Sequence, residues 1–163
     1  MRRGALDLLR SLRDPASDTQ VAVVAATDPA NPYGTSLPWP LPELTRTVGA
    51  AVVLVDGAMT VYVARGNREI AVSLPQDEPF RSRAARAAAS ALSSYALGGN
   101  ARPRPMLITR IDDGPAIDHP FGADLEHAGF VRAGAGFHIP RSATSRAEEF
   151  GNEEHAENEP ADA

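Results

Sequence analysis

The sequence contains neither cysteine nor lysine. Without cysteine there can be no disulfide, no thiol nucleophile and no thiolate metal site. That absence fits a cytoplasmic protein. Without lysine no Gly-x-x-x-x-Gly-Lys-Ser/Thr phosphate loop can be written, so a complete motor ATPase is excluded from this chain. No apolar run approaches the ~18 residues that span a bilayer, and no membrane partner is expected. The start, Met1 to Arg10, is basic but lacks the apolar core of a secretory signal. His119, His127, His138 and His155 stand at no spacing that suits metal ligation.

What is present suffices for one globular domain with tails. The chain has 163 residues, 43% hydrophobic and 23% charged. Its net charge of −5 is unevenly spread. Residues 142–163 carry seven acids against Arg146, a net −6, which leaves +1 for residues 1–141. The domain itself is near neutral, so charge alone does not argue for nucleic acid. Every fixed cation is arginine, which can grip phosphate bidentately and stack on bases; a GC-rich genome would supply arginine and alanine codons equally well.

Residues 4–13 read as a short helix, with Leu6, Leu9 and Arg10 at helical spacing and Asp14-Pro15 as its stop. Residues 1–17 are expected to be a truncated helix or a linker from a preceding domain, with Met1 an internal methionine of a longer protein. Gln20 to Ala26 suits a buried strand. The proline-dense stretch from Asp28 to Pro42 is expected to be an extended, ordered loop pinned by Tyr33 and Trp39. Val48–Val55, Thr60–Ala64 and Glu69–Leu74 predict a three-stranded meander. Its turns are Asp56-Gly57 and Gly66-Asn67, and Ile70, Val72 and Leu74 share a face.

Asp77-Glu78-Pro79 opens a helix that runs to about Leu97 and stops at Gly98. Phe80, Ala84, Ala87, Ala88, Ala91, Leu92 and Tyr95 fall on one face of it. Residues 105–111 predict a strand, Asp113-Gly114-Pro115 a turn, 120–128 a short helix, and Phe130–Arg132 with Phe137–Ile139 a closing hairpin. The fold class is α+β: an antiparallel sheet, open or closed into a barrel, with one Ala-rich helix, then a small β-α-β-β end. The domain spans 18–141, and 142–163 reads as a disordered acidic tail.

Several segments together resemble one family. They are Ala25 to Gly34 with Leu37-Pro38-Trp39-Pro40; Gly49 to Gly57 with Tyr62-Val63-Ala64-Arg65-Gly66; Arg110 to Gly114; and Ala128-Gly129-Phe130 with Gly136-Phe137. In order and spacing they are similar to a segment near the C-terminal end of the large helicase-related (Lhr) bacterial helicases, over roughly residues 20–141. The family reads Ile-Asp-Gly where this chain has Ile111-Asp112-Asp113-Gly114. The resemblance implies a much longer parent, an ATP-dependent DNA repair helicase whose motor, with its ATP and Mg, lies outside this chain. It also implies preceding winged-helix and helicase domains as partners, with DNA or RNA as ligand, and a C-terminal region like that of DNA glycosylases.

The candidate nucleic-acid contacts are arginines and aromatics. Arg83 and Arg86, three apart on the helix, share a face and with Arg81 could hold a phosphate backbone; a solvated helix face is the plainer reading. Arg65 and Arg68 flank a tight turn that could enter a groove; a polar turn is the more usual reason for such a sequence. Tyr33 and Trp39 could stack on unpaired bases or could plug the edge of a core. Asp112, Asp113 and Asp118 are close in sequence and are the carboxylates weighed for glycosylase chemistry, and Asp113-Gly114-Pro115 needs no more than a turn. No residue is assigned a catalytic role. The leading expectation is an accessory C-terminal domain that supports nucleic-acid binding. Its rivals are a structural or homo-oligomerisation module, with the alternating strand Glu69–Leu74 as partner surface, and a part of a glycosylase-like site.

Overall fold

A computed structural model describes residues 18–98 and 102–140. The helix expected at 4–13 and the tail at 142–163 lie outside the described residues. In chain order the elements are β1 (Val21–Ala25), β2 (Ala51–Val55), β3 (Ala58–Val63), β4 (Glu69–Val72) and α1 (Phe80–Leu97). Then come β5 (Leu107–Ile108), β6 (Arg110–Ile111), β7 (Gly114–Pro115), a 3-10 turn (Ala116–Asp118), α2 (Gly122–His127), β8 (Val131–Ala133) and β9 (Gly136–His138). The class is α+β as expected.

The main sheet has the order β1-β2-β3-β4-β6-β7, and a second sheet the order β5-β9-β8. The main sheet is open, with β1 at one end and β7 at the other, so the barrel alternative is set aside. β2, β3 and β4 form the predicted meander. Among the named strands the one parallel pairing is β4 with β6, reached by the crossover through α1. The segment 105–111 is not one strand. It breaks at Thr109, whose N–H bonds Arg68 O at 2.8 Å, and its two halves enter different sheets. The turn after it is Asp112-Asp113, not Asp113-Gly114-Pro115: Asp112 adopts φ 53°, and Gly114 and Pro115 already pair back on β6.

Both faces of the meander are covered. Val53, Val61, Val63 and Ile70 meet α1 and the smaller sheet in the larger core. Val52, Met59 and Tyr62 meet the proline-rich loop, which brings Tyr33, Trp39 and Leu44 onto the opposite face. Met59 and Tyr62 are three apart, yet they share a face. A bulge resets the alternation between them: Val53 pairs Val61 and Leu54 pairs Met59, leaving Thr60 unpaired. The buried Thr60 hydroxyl donates to Val53 O at 3.1 Å, so its polarity is satisfied. Because β4 sends Ile70, Val72 and Leu74 into one layer and Ala71 into the other, this strand presents no bare apolar face to a partner.

α1 ends as predicted, with Gly98 at φ 91° closing the last turn on Tyr95 O. Its buried residues are Ala84, Ala85, Ala88, Ala89, Leu92 and Ala96. The alanines favour the helix and let it approach the sheet closely. The stripe is rotated from the expected one: Phe80 is 51% exposed, while Ala85, Ala89 and Ala96 are inside. Two further expectations are corrected at the sheet end. Val48 is 76% exposed, in the turn that precedes β2. Val21 is 41% exposed, because β1 is an edge strand, not a buried one.

The proline-rich loop is ordered by polar pins. Asn31 is fully buried; its Nδ2 donates to Ala26 O at 2.8 Å, and its Oδ1 accepts from Tyr33 N at 3.1 Å. Arg46 reaches back across the loop and donates to the carbonyls of Asn31, Tyr33, Thr27 and Asp28 at 2.9–3.2 Å. Prolines deprive the loop of amide donors, and one guanidinium supplies donors to the carbonyls left over. Gly34 is required here: at φ 78° a Cβ would stand 2.7 Å from Trp39 Nε1.

Candidate nucleic-acid interface

The meander sets two groups of arginines at opposite ends of the sheet. The β3–β4 turn carries Arg65 and Arg68 at the end where Ala51 pairs Val63. The β2–β3 turn, with Asp56, lies at the other end beside the first turns of α1. Strands of this length separate the two by about 17–20 Å.

At the α1 end the three arginines do not act together. Arg83 Nη2 lies 3.4 Å from Asp56 Oδ2, and its guanidinium sits 5.5 Å from the centre of the Phe80 ring. Arg81 and Arg86 instead line a cleft of about 490 Å³ that also holds Pro40, Gln76, His119 and Asp124. The expected pair, Arg83 with Arg86, is thus replaced by Arg81 with Arg86. Their charge is partly met: Glu78 is held below the usual carboxylate range, first by hydrogen bonds from Ser82 and then by Arg81 and Arg86.

The same cleft contains Asp112. Its Oδ1 accepts from Val72 N at 2.8 Å, and its Oδ2 lies 3.1 Å from His119 Nε2. Phe121 N donates to His119 Nδ1 at 3.2 Å. That bond leaves the ring proton on Nε2, so His119 donates to Asp112 and both of its nitrogens are engaged. The arrangement braces the β6–β7 turn and has no spare nitrogen to act as a base. Asp112→Ala is expected to lower stability by about 1–2 kcal/mol, read from a urea midpoint. Asp112→Asn, which keeps an acceptor for Val72 N but turns an NH2 donor toward the His119 Nε2–H, should recover only the part carried by the Val72 bond.

At the other end, Arg65 and Arg68 are exposed, and among the described residues neither forms an ion pair. The turn that carries them is anchored. Asn67, at φ 58°, donates from Nδ2 to Pro105 O at 3.4 Å, and Arg68 O accepts from Thr109 N and Arg110 N. Arg110 is brought alongside, opposite Glu69 in the β4–β6 register. Arg104 lies over the Tyr95 ring, 4.8 Å from its centre, and donates to the Tyr95 hydroxyl at 2.8 Å. Sequence reasoning missed Arg104 and Arg110. Only the parallel β4–β6 pairing joins Arg110 to the turn, and no local spacing encodes it.

Tyr33 and Trp39 serve the loop. Their rings stack at 5.9 Å, Trp39 meets Tyr62 edge-on at 5.7 Å, and the Tyr33 hydroxyl accepts from Met59 N at 3.0 Å. Both are half-buried in the smaller core. Among the described residues no group of three acidic or histidine side chains is placed to hold a metal ion, and no helix is long and apolar enough to cross a membrane.

No family model matches the chain. Two characterised proteins do. The chain is 35% identical over 139 residues to the "Lhr helicase/ probable uracil glycosylase" of Mycolicibacterium smegmatis, a match covering 80% of this chain and 9% of that protein. It is 31% identical over 138 residues to the "Lhr helicase/uracil glycosylase" of Escherichia coli, covering 78% of this chain and 8% of that one. The chain is thus related over about four-fifths of its length to a segment of the Lhr helicases, and it spans less than a tenth of either relative.

Proposed function

We propose that this chain is the accessory C-terminal segment of an Lhr-type DNA repair helicase, bracing the domains before it and adding arginine contacts to nucleic acid. One observation carries the reading: four-fifths of the chain aligns with under a tenth of two proteins named as helicases. A lysine-free chain supplies no phosphate loop, so in such a parent ATP and Mg would be held by a motor elsewhere. The best-placed contact is the anchored β3–β4 turn. Its arginines are exposed and its backbone is fixed, so little order has to be gained on binding.

The test is a salt titration of single- and duplex-DNA binding by the full chain and by an Arg65→Ala/Arg68→Ala double variant. Removing one arginine–phosphate pair should flatten the log–log salt slope by about 0.7–0.9. We expect the double variant to flatten it by the equivalent of one to two such pairs, with binding about tenfold weaker at low salt. Unchanged affinity and slope would exclude the turn as a DNA-binding element, and no binding by the unsubstituted chain would favour a purely structural role. The word glycosylase in the relatives' names raises a second reading, a share in a base-excision site. With both Asp112 oxygens engaged in the turn, it is the weaker of the two.

A further inference from the structure

A groove of about 700 Å³ lies between the edge strand β1 and α1. Val21, Val23 and Ala25 form one wall; Ala87, Ser90, Ala91 and Ser94 form the other. The helix wall repeats at i, i+3, i+4 and i+7, so it is one continuous face of small side chains. The even residues of β1 bond β2, since Ala26 N donates to Ala50 O and Gln20 O accepts from Asp56 N. The N–H and C=O of Val21 and Val23 therefore point away from β2, and among the described residues nothing bonds them. The usual guards of an open edge are missing too: Val21–Ala25 holds no charge and no proline, and it pairs with β2 without a bulge. The groove has one charged end, where Ala25, Gly49 and Tyr95 line it together with Arg104. One of the five Arg104 N–H groups serves the Tyr95 hydroxyl. The Arg65 stem lies over Gly49, so closely that a Cβ there would stand 3.2 Å from Arg65 Cγ. Among the described residues no acid lines the groove.

We propose that this groove takes an extended segment of a partner protein as a further strand on β1, antiparallel to it, with acidic residues leading at the Arg65–Arg104 end. Strand addition at a sheet edge draws its affinity from main-chain bonds and its selectivity from pockets for alternate side chains. Both are provided here. Two peptide residues can each exchange a pair of main-chain bonds with Val21 and Val23. Residues paired in this way share a face with their partners, so the peptide's side chains opposite Val21 and Val23 rest on the small residues of α1. Medium apolar side chains such as valine match that wall. The direction follows from charge and geometry. Antiparallel pairing is the commoner kind by about two- to threefold, and β1 runs toward the arginines. An antiparallel peptide therefore brings its N-terminal end to them, and carboxylates there meet the open guanidinium groups. Sheet and helix hold the groove in shape beforehand, so the cost of ordering falls on the peptide alone. This surface does not depend on whether the chain binds DNA.

The test titrates a fluorescent peptide, acetyl-Asp-Asp-Val-Thr-Val-Thr-Val-amide, into the full chain. Its anisotropy should rise to saturation, and the Val21 and Val23 amides should exchange with solvent about tenfold more slowly when the peptide is bound. Val23→Pro leaves the bonds to β2 in place, because that N–H faces outward. It should weaken binding about tenfold, as the loss of one or two main-chain bonds would. The unsubstituted chain should prefer this peptide to its Asn-Asn counterpart by about two- to fivefold, and Arg104→Gln should bind the two alike. No saturable binding at millimolar peptide would overturn the proposal, as would binding that leaves the Val21 and Val23 amides unprotected. A dimer paired through β1, or a single-stranded oligonucleotide bound in the groove in place of the peptide, would give the edge to another occupant and overturn it equally. Should Val23→Pro fail to fold, amide exchange on the unsubstituted chain decides.

Discussion

Replacing Phe137 by alanine is expected to cost about 3–5 kcal/mol of unfolding free energy, the largest loss from any single position considered. The side chain is fully buried in β9, and it joins three elements. Its ring packs against Gly122 at the start of α2, so closely that a Cβ there would stand 2.8 Å from the ring. Arg132, from β8, lies over it with the guanidinium 5.5 Å from its centre. Gly136, next in the strand, can be nothing larger, since a Cβ would collide with Ile108 O in β5. The surrounding backbone is fixed by these contacts and cannot collapse into the space left by the ring. Domains of this size are stable by only about 5–15 kcal/mol, so the variant should be marginally folded at 25 °C. Urea titration measures the loss. A value under about 1.5 kcal/mol would mean that the small sheet is loosely attached to the rest.

The second large effect is expected from Arg46→Met, which keeps the length of the side chain and removes its charge. Four loop carbonyls lose their shared donor. Charged hydrogen bonds contribute about 1.5–3 kcal/mol each when taken singly, but these four share one group and sit near the surface, so the net loss should be about 3 kcal/mol. The single tryptophan, Trp39, sits in the same loop. Its emission should therefore shift to longer wavelength, and the shift should precede global unfolding as urea is raised. An unchanged spectrum and midpoint would show that ring stacking alone holds the loop.

These two sites differ in how far the sequence discloses them. The closing hairpin, the short helix before it and the turn between Ala133 and Gly136 are legible, because turn residues and alternation act over a few positions. The meander and the glycine that ends α1 are legible for the same reason. Arg46 is not: its partners are 13 to 19 residues away in a segment without periodicity. The bulge at Thr60 is invisible, because an apolar run fits either parity. The parallel pairing of β4 with β6 is hidden behind α1 and a connection of more than thirty residues. So is the splitting of 107–111 between two sheets. At the candidate site, the sequence marks which arginines lie on a turn or a helix face. It does not tell that Asp56 draws Arg83 aside, or that Arg110 joins the β3–β4 turn, since both depend on contacts over long sequence separations.

A sheet that is apolar on both faces meets a difficulty that half-exposed sheets avoid. In a strand with one wet face, slipping by a single residue turns greasy side chains into water, and that penalty holds the alignment. Here Val52 and Val53 are both fully buried, so a slip of β2 would exchange one dry environment for another. Alignment must come from groups that fit only one way. The Tyr62 hydroxyl reaches Thr45 O at 2.9 Å, the Tyr33 hydroxyl takes the Met59 N–H, and the Thr60 hydroxyl takes up Val53 O. The proline-rich loop is thus a key cut to one setting of the strands, and mispaired forms of this domain are rejected by three hydroxyl groups.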